Sequence, residues 1–140
     1  MFSLKAQYGL KAIIALAANY GKDPIQARVI ASSQDIPARY LELLLAQLRR
    51  ARMVEATRGK NGGYILSQDP SKISVWDIVS IFEGKMIFQQ KIEPSKSKSS
   101  VGDLSVIWKE AEKRLVDYFK SVKVSKILES LESGKQMYFI

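Results

Sequence analysis

The chain has 140 residues, 46% of them hydrophobic, and carries a net charge of +8. That is enough chain and enough apolar content for one globular domain with its own core. Cysteine and histidine are both absent, which excludes thiolate and imidazole metal sites, disulfides, cysteine nucleophiles and serine–histidine triads together.

No carboxylate cluster at loop spacing suggests an oxygen-ligated Mg²⁺ or Ca²⁺ site. Glu110 and Glu112 lie in a mixed-charge helical stretch, where a solvated face is the expected role. The chain is therefore expected to be no enzyme and to carry no cofactor. It has no apolar run long enough to span a membrane, and the opening MFSLKAQYGLK lacks the order of a signal peptide. A cytoplasmic protein with no membrane partner is expected. The charge is uneven: residues 1–67 hold ten basic and four acidic side chains, residues 68–140 twelve and ten. A basic half beside a nearly balanced half suits a domain that meets phosphate.

In chain order, Ser3 to Tyr20 is alanine-rich and amphipathic and reads as a helix, with Gly21 closing it. Lys5, Gln7 and Lys11 on it could reach a DNA backbone or simply face solvent. Gln26 to Ser33 reads as a short second helix, with Val29 and Ile30 buried against a third and Arg28 free to meet phosphate. Gln34-Asp35 is the turn, Asp being one of the few residues that tolerate a left-handed conformation.

The third helix is expected from about Pro37 to Ala51, because proline is well placed at a first helical position. Tyr40, Leu41, Leu44, Leu45 and Leu48 recur at helical spacing and mark a buried face. Arg39, Glu42, Gln47, Arg49 and Arg50 occupy the other. Met53–Thr57 and Tyr64–Ser67 read as two strands around the basic, glycine-rich turn Arg58-Gly59-Lys60-Asn61-Gly62-Gly63. A helix with a basic outer face followed by a basic hairpin is the plan of a winged helix-turn-helix. Its first turn enters the major groove, so Pro37, Ala38, Arg39, Tyr40 and Glu42 are base-reading candidates. Arg pairs bidentately with guanine, and a carboxylate accepts from cytosine N4. Arg39 and Glu42 could instead form a local surface pair, and Tyr40 could be core. Arg49 and Arg50 suit phosphate. Arg58, Gly59 and Lys60 form the wing tip, where a narrow minor groove attracts cations.

Ser71 to Gly84 reads as another helix, with Ser74 and Asp77 as a capping box and Trp76, Ile78, Val79, Ile81 and Phe82 as core. Residues 85–100 read as a flexible linker, with PSKSKSS of low complexity. A long helix follows, from about Val101 to Ser121. Val101, Leu104, Trp108, Ala111, Leu115, Tyr118 and Val122 fall at steps of three and four, a heptad-like seam suited to pairing with a second copy. A short helix, Val124 to Leu131, and an apolar tail, Gln136 to Ile140, end the chain. The fold class expected is mainly α, of the α+β kind. Residues 1–84 form a winged helix-turn-helix domain with a two-stranded wing; its helix-turn-helix covers about 26–51 and the wing about 53–67. Residues 101–140 form the long dimerisation helix and a short helix packing back on the domain.

These residues together resemble the Rrf-two family of bacterial winged-helix regulators. The resemblance rests on Tyr8, on Tyr40-Leu41-Glu42 with Leu48-Arg49-Arg50, and on Arg58-Gly59 with Gly62-Gly63-Tyr64-Ile65-Leu66. Ile73, Asp77, Ile78, Glu83-Gly84 and Trp108 match further along. The resemblance implies a homodimeric transcription factor, paired through the long helix. It assigns DNA contact to Pro37, Ala38, Arg39, Tyr40 and Glu42 and to Arg58, Gly59 and Lys60. Cluster-bearing members hold an iron–sulfur centre on three cysteines before the long helix; here residues 89–103 offer serine and lysine instead. No cysteine-ligated iron–sulfur cluster is expected. Asp35, where the family commonly has glycine, and Pro37 suggest a reading head with its own sequence preference. The expected partners are double-stranded DNA, as an inverted-repeat operator, and a second copy of the chain. A regulatory partner protein or small-molecule effector is left open. The rival readings are a regulator that acts mainly through a protein partner, and a nonspecific nucleic-acid-binding protein.

Overall fold

The computed structural model describes residues 2–84 and 104–134. The expected linker at 85–100, Val101, the segment 89–103 and the tail Gln136–Ile140 therefore lie outside the described residues.

Helix α1 (Leu4–Ala18) starts where the Ser3 hydroxyl accepts the Ala6 N–H at 3.2 Å. The Ser3 N–H is in turn donated to Glu83 Oε1 at 2.6 Å, joining the two ends of the domain. Its Ala6, Gly9, Ala12, Ile13, Leu16 and Ala17 are buried. At Gly9 a Cβ would overlap the Phe82 ring, so the missing side chain is what admits that ring. Helix α2 (Ala27–Gln34) ends at Asp35, whose φ of 53° and ψ of 48° place it in the left-handed region. Helix α3 (Ala38–Arg50) follows with Pro37 as its N-cap, so the helix begins one residue later than expected. Leu41, Leu44, Leu45 and Leu48 are all buried, as their spacing required.

One expectation for this region fails. Val29 is not buried against α3 but 45% exposed; α2 spans only eight residues and buries Ile30 and Ala31 instead. Ile30 and Ala31 take the core-facing side of this short helix, which leaves Val29 turned to solvent.

The wing is β1 (Val54–Thr57) paired antiparallel with β2 (Gly63–Leu66), in the register Val54 with Leu66 and Thr57 with Gly63. Ile25 adds a bridge on the outer edge of β2, donating its N–H to the Tyr64 carbonyl at 3.0 Å and accepting the Tyr64 N–H at 2.7 Å. Gly63 allows that approach, because a Cβ there would meet the Ile25 carbonyl oxygen at 2.5 Å.

The expected helix from Ser71 to Gly84 is two elements. A 3-10 turn, Pro70–Lys72, precedes helix α4 (Val75–Glu83). Asp69 caps the turn, and the Ser71 backbone N–H donated to its carboxylate at 2.8 Å holds its pKa below the ordinary aspartate range. The chain then leaves helical geometry at Ile73, and Ser74 restarts it. The Ser74 hydroxyl accepts the Asp77 N–H at 3.1 Å and the Asp77 carboxylate accepts the Ser74 N–H at 2.9 Å, the full capping box. Ile78 and Val79 are buried; Trp76 is half-buried and belongs to neither cluster of buried residues.

Helix α5 (Ser105–Ser121) begins at Ser105 rather than Val101, and helix α6 (Val124–Glu132) lies against α1. A second correction falls between them. Val122 is not on the outward seam of α5: it is the helix's C-cap, 6% exposed, in a cluster with Ala6, Val75, Val79 and Ile127. The backbone turns extended there, at ψ 111°, so the three-and-four periodicity no longer predicts where the side chain points. The Val122 carbonyl accepts the Val75 N–H at 2.9 Å and the Val124 N–H reaches the Ile73 carbonyl at 2.8 Å. The main cluster joins α1, α2, α3, the wing, α4 and α6 through Ile13, Ile30, Leu45, Val54, Ile78 and Val124.

Candidate nucleic-acid interface

The outward surface of α3 carries Ala38, Arg39, Glu42, Leu43, Ala46, Arg49 and Arg50, all exposed, with Pro37 exposed at the cap. Arg39 and Glu42 do not pair with each other. Among the described residues the ion pairs are Arg114 with Glu110 at 3.1 Å and Lys126 with Glu129 at 4.0 Å, far from α3 in sequence. Among the described residues the cations of α3 and the wing thus have no carboxylate partner and are available to an external anion. Arg50 Nε donates to the Ala46 carbonyl at 3.4 Å, which lays its guanidinium along the last turn.

Tyr40 is half-buried. Its ring meets Tyr8 of α1 edge to face, centroids 5.6 Å apart, and Lys11 Nζ stands 5.8 Å from the Tyr8 centroid. Tyr40 therefore packs against the core while its place in the first full turn of α3 keeps it beside the exposed Arg39. Sequence reasoning treated core and interface as alternatives for this residue and did not pair it with Tyr8. Gln7, offered as a backbone contact, donates its side-chain amide to the Phe2 carbonyl at 3.1 Å.

At the wing tip Arg58, Gly59 and Lys60 are exposed. Gly59 has φ 107°, a conformation for which glycine is the natural residue, and its carbonyl accepts the Gly62 N–H at 3.0 Å to close the turn. Arg28, Val29, Lys60 and Asn61 line one open groove between the start of α2 and the wing. Arg28 Nε is held by Gln26 Oε1 at 2.8 Å. Arg49 and Arg50 line a second groove with Tyr64 of β2. The wing thus lies beside both helices of the helix-turn-helix, and cations from three elements border the same two grooves.

Two residues that sequence reasoning passed over frame this surface. Arg52 has φ 63°. With Ala51 as C-cap, the Arg52 N–H reaches the Arg49 carbonyl at 2.9 Å and the Met53 N–H reaches the Leu48 carbonyl at 2.9 Å, which is a Schellman termination built on arginine. Glycine is the usual mark of that turn, so its absence hid it. Leu43 is 65% exposed in the middle of the outward face. The spacing left Leu43 off the buried face, but sequence reasoning gave it no role on the outward one.

On α5, Leu104, Trp108, Ala111 and Tyr118 of the expected seam are exposed and Leu115 is half-buried; Val106 and Ile107 are exposed beside them. Among the described residues no other helix exposes as many large apolar side chains.

A family model described as Rrf2, iron-dependent transcriptional regulator, matches residues 2–130. The HTH-type transcriptional regulator CymR of Bacillus subtilis (strain 168) is 34% identical over 134 residues, covering 94% of this chain and 88% of that protein. Among solved structures, T. potens IscR superposes with a TM-score of 0.81 at 31% identity, covering 99% of this chain and 93% of that one. CymR of B. subtilis does so at 0.74 and 29%, covering 92% and 96%. With its winged helix-turn-helix and a match that runs nearly end to end, the chain belongs to the Rrf2 (Rrf-two) family of DNA-binding transcriptional regulators and is not an enzyme.

Proposed function

We propose that the chain acts as a homodimeric, sequence-specific regulator in the bacterial cytoplasm. It reads an inverted-repeat operator with the start of α3 and steadies itself on the backbone with the wing. The observation that carries this reading is the set of exposed cations, Arg39, Arg49, Arg58 and Lys60, with no carboxylate partner among the described residues, on the helix and hairpin that bracket the grooves just described. Within it Pro37, Ala38, Arg39, Tyr40 and Glu42 address bases, whereas Arg28, Arg49, Arg50, Arg58, Gly59 and Lys60 address phosphate and the minor groove. Two copies, paired through α5, place their reading heads about one helical turn apart, about 34–36 Å.

The family's description is iron-dependent, but this chain has neither cysteine nor histidine. Among the described residues no three acidic side chains converge on a point that could hold a metal. The donor set does not fit a thiolate-ligated cluster, and regulation without one is part of this reading. Protein purified without oxygen is expected to contain iron and sulfide well below one equivalent per chain; stoichiometric amounts of both would overturn this part.

The test of the whole is selection of bound sequences from a random duplex pool at about 0.15 M salt, followed by salt titration of the winner. An inverted repeat with one-turn half-site spacing is expected. If about 6–10 phosphates are neutralised, affinity falls about 10³–10⁵-fold between 50 and 200 mM salt. Binding that shows no preference among duplexes would mean a nonspecific nucleic-acid protein. No binding at that salt would point to a regulator that works through a protein partner.

A further inference from the structure

Helix α3 buries four of its leucines and exposes one. Leu41, Leu44, Leu45 and Leu48 are each no more than 1% exposed, whereas Leu43 is 65% exposed. A single apolar side chain on a surface is ordinary; what distinguishes Leu43 is where it stands. Arg39, Leu43, Ala46 and Arg50 follow one another at steps of four, three and four and form one ridge along the outward face. At 1.5 Å per residue that ridge is about 16 Å long, with Leu43 about 6 Å from the Arg39 end. It is charged at both ends and apolar in the middle, between Leu43 and Ala46.

Inside the major groove the one apolar group on any base edge is the C5-methyl of thymine. A leucine can neither donate nor accept a hydrogen bond. Facing the N4 amine of cytosine or the N6 amine of adenine it would displace water and return nothing, whereas against a methyl both surfaces leave water together. Ala46, one turn later on the ridge, is too short to cover the Leu43 side chain from that side.

We infer that Leu43 is a specificity-determining residue that selects a thymine in each half-site through contact with its 5-methyl group. This rests on the reading of α3 as the groove-entering helix and adds to it a base identity and the residue that imposes it.

The test uses the operator that selection returns. Each thymine of a half-site is replaced in turn by deoxyuridine, which keeps every hydrogen-bonding group and removes only the methyl. Binding is measured for the wild-type chain and for Leu43→Ala, with thermal unfolding as a control on the fold; the residue's exposure makes the variant foldable. For the wild type, one position per half-site is expected to lose about fourfold in affinity, the value of one buried methyl-sized group. For Leu43→Ala the same replacement is expected to have no effect, with thymine and uracil bound alike. Wild-type affinities that ignore every deoxyuridine, or a loss that persists in Leu43→Ala, would overturn the inference while leaving the regulator reading standing. A Leu43→Ala variant that keeps its thymine preference but changes its sedimentation would make Leu43 a protein contact, and overturn it likewise. Absence of any duplex binding by the wild type would instead remove the DNA reading and this inference with it.

Discussion

Arg39 and Glu42 stand three residues apart on α3, at a spacing where opposite charges commonly pair, yet each is exposed and neither touches the other. Their separation matters because a pair already satisfied must be broken before either partner can meet a base. Arg39→Ala is expected to relax discrimination at one base pair and cost about 1–3 kcal/mol for the preferred sequence. Lys60→Ala, at the wing tip, is expected to weaken all duplexes alike and to lower the slope of log affinity against log salt by about one. Quantitative binding to a small panel of single-base operator variants, at several salt concentrations, separates the two. If Arg39→Ala lowers every sequence equally, Arg39 is a phosphate contact. At this scale the sequence was most readable where charge alone decides exposure. It was least readable at Tyr40, whose contact with Tyr8 links positions thirty-two apart and leaves no local pattern.

The recognition helix is bracketed by two non-glycine residues with positive φ, Asp35 before it and Arg52 after it. Asp35 was legible, because aspartate at a helix-turn-helix turn has few other reasons to be there. Arg52 was not: an arginine carries no mark of a left-handed conformation, and its role emerges only from the paired bonds to Leu48 and Arg49. A side chain in that conformation costs about 1–2 kcal/mol, against about 0.5–1 kcal/mol of extra chain entropy for glycine. Arg52→Gly is accordingly expected to raise stability by about 0.5–1 kcal/mol, read as a higher urea midpoint with an unchanged slope. A lower midpoint would mean that the Arg52 side chain makes up for its own strain. The four buried leucines of α3 followed directly from their spacing, its ends came within one residue of expectation, and the capping box at Ser74 followed from two residues. Val29 and Val122 were misplaced for one shared reason: spacing describes direction only inside a helix long enough to have a face, and α2 is short while Val122 lies just past an end.

Across the whole molecule, the exposed cations Arg39, Arg49, Arg58 and Lys60 belong to α3 and the wing, while Leu104, Val106, Ile107, Trp108 and Tyr118 expose apolar surface along α5, among that helix's own lysines and carboxylates. A surface of that kind on a single helix suits a second copy more than solvent. Trp108→Glu is expected to give a monomer in sedimentation and to lower operator affinity by about 10²-fold or more, because two linked half-site contacts become one. An unchanged dimer with unchanged affinity would place the pairing surface elsewhere.

The two peptide hydrogen bonds that tie Val122 and Val124 to Val75 and Ile73 give α5 an asymmetric footing. Its C-terminal end is clasped to the base of α4, and Phe119 is braced there by Phe2 at a ring separation of 5.0 Å. No residue within α5 itself is buried; the buried anchor is its C-cap, Val122. A helix of seventeen residues is a rod about 25 Å long. A tilt of about 10° at the clasp would sweep its opposite end through about 4 Å, given that length. Two such rods joined in a pair would turn a slight rotation at their feet into a changed distance between the two reading heads. A force on the far end of α5 would then act on that distance with the leverage of the whole rod.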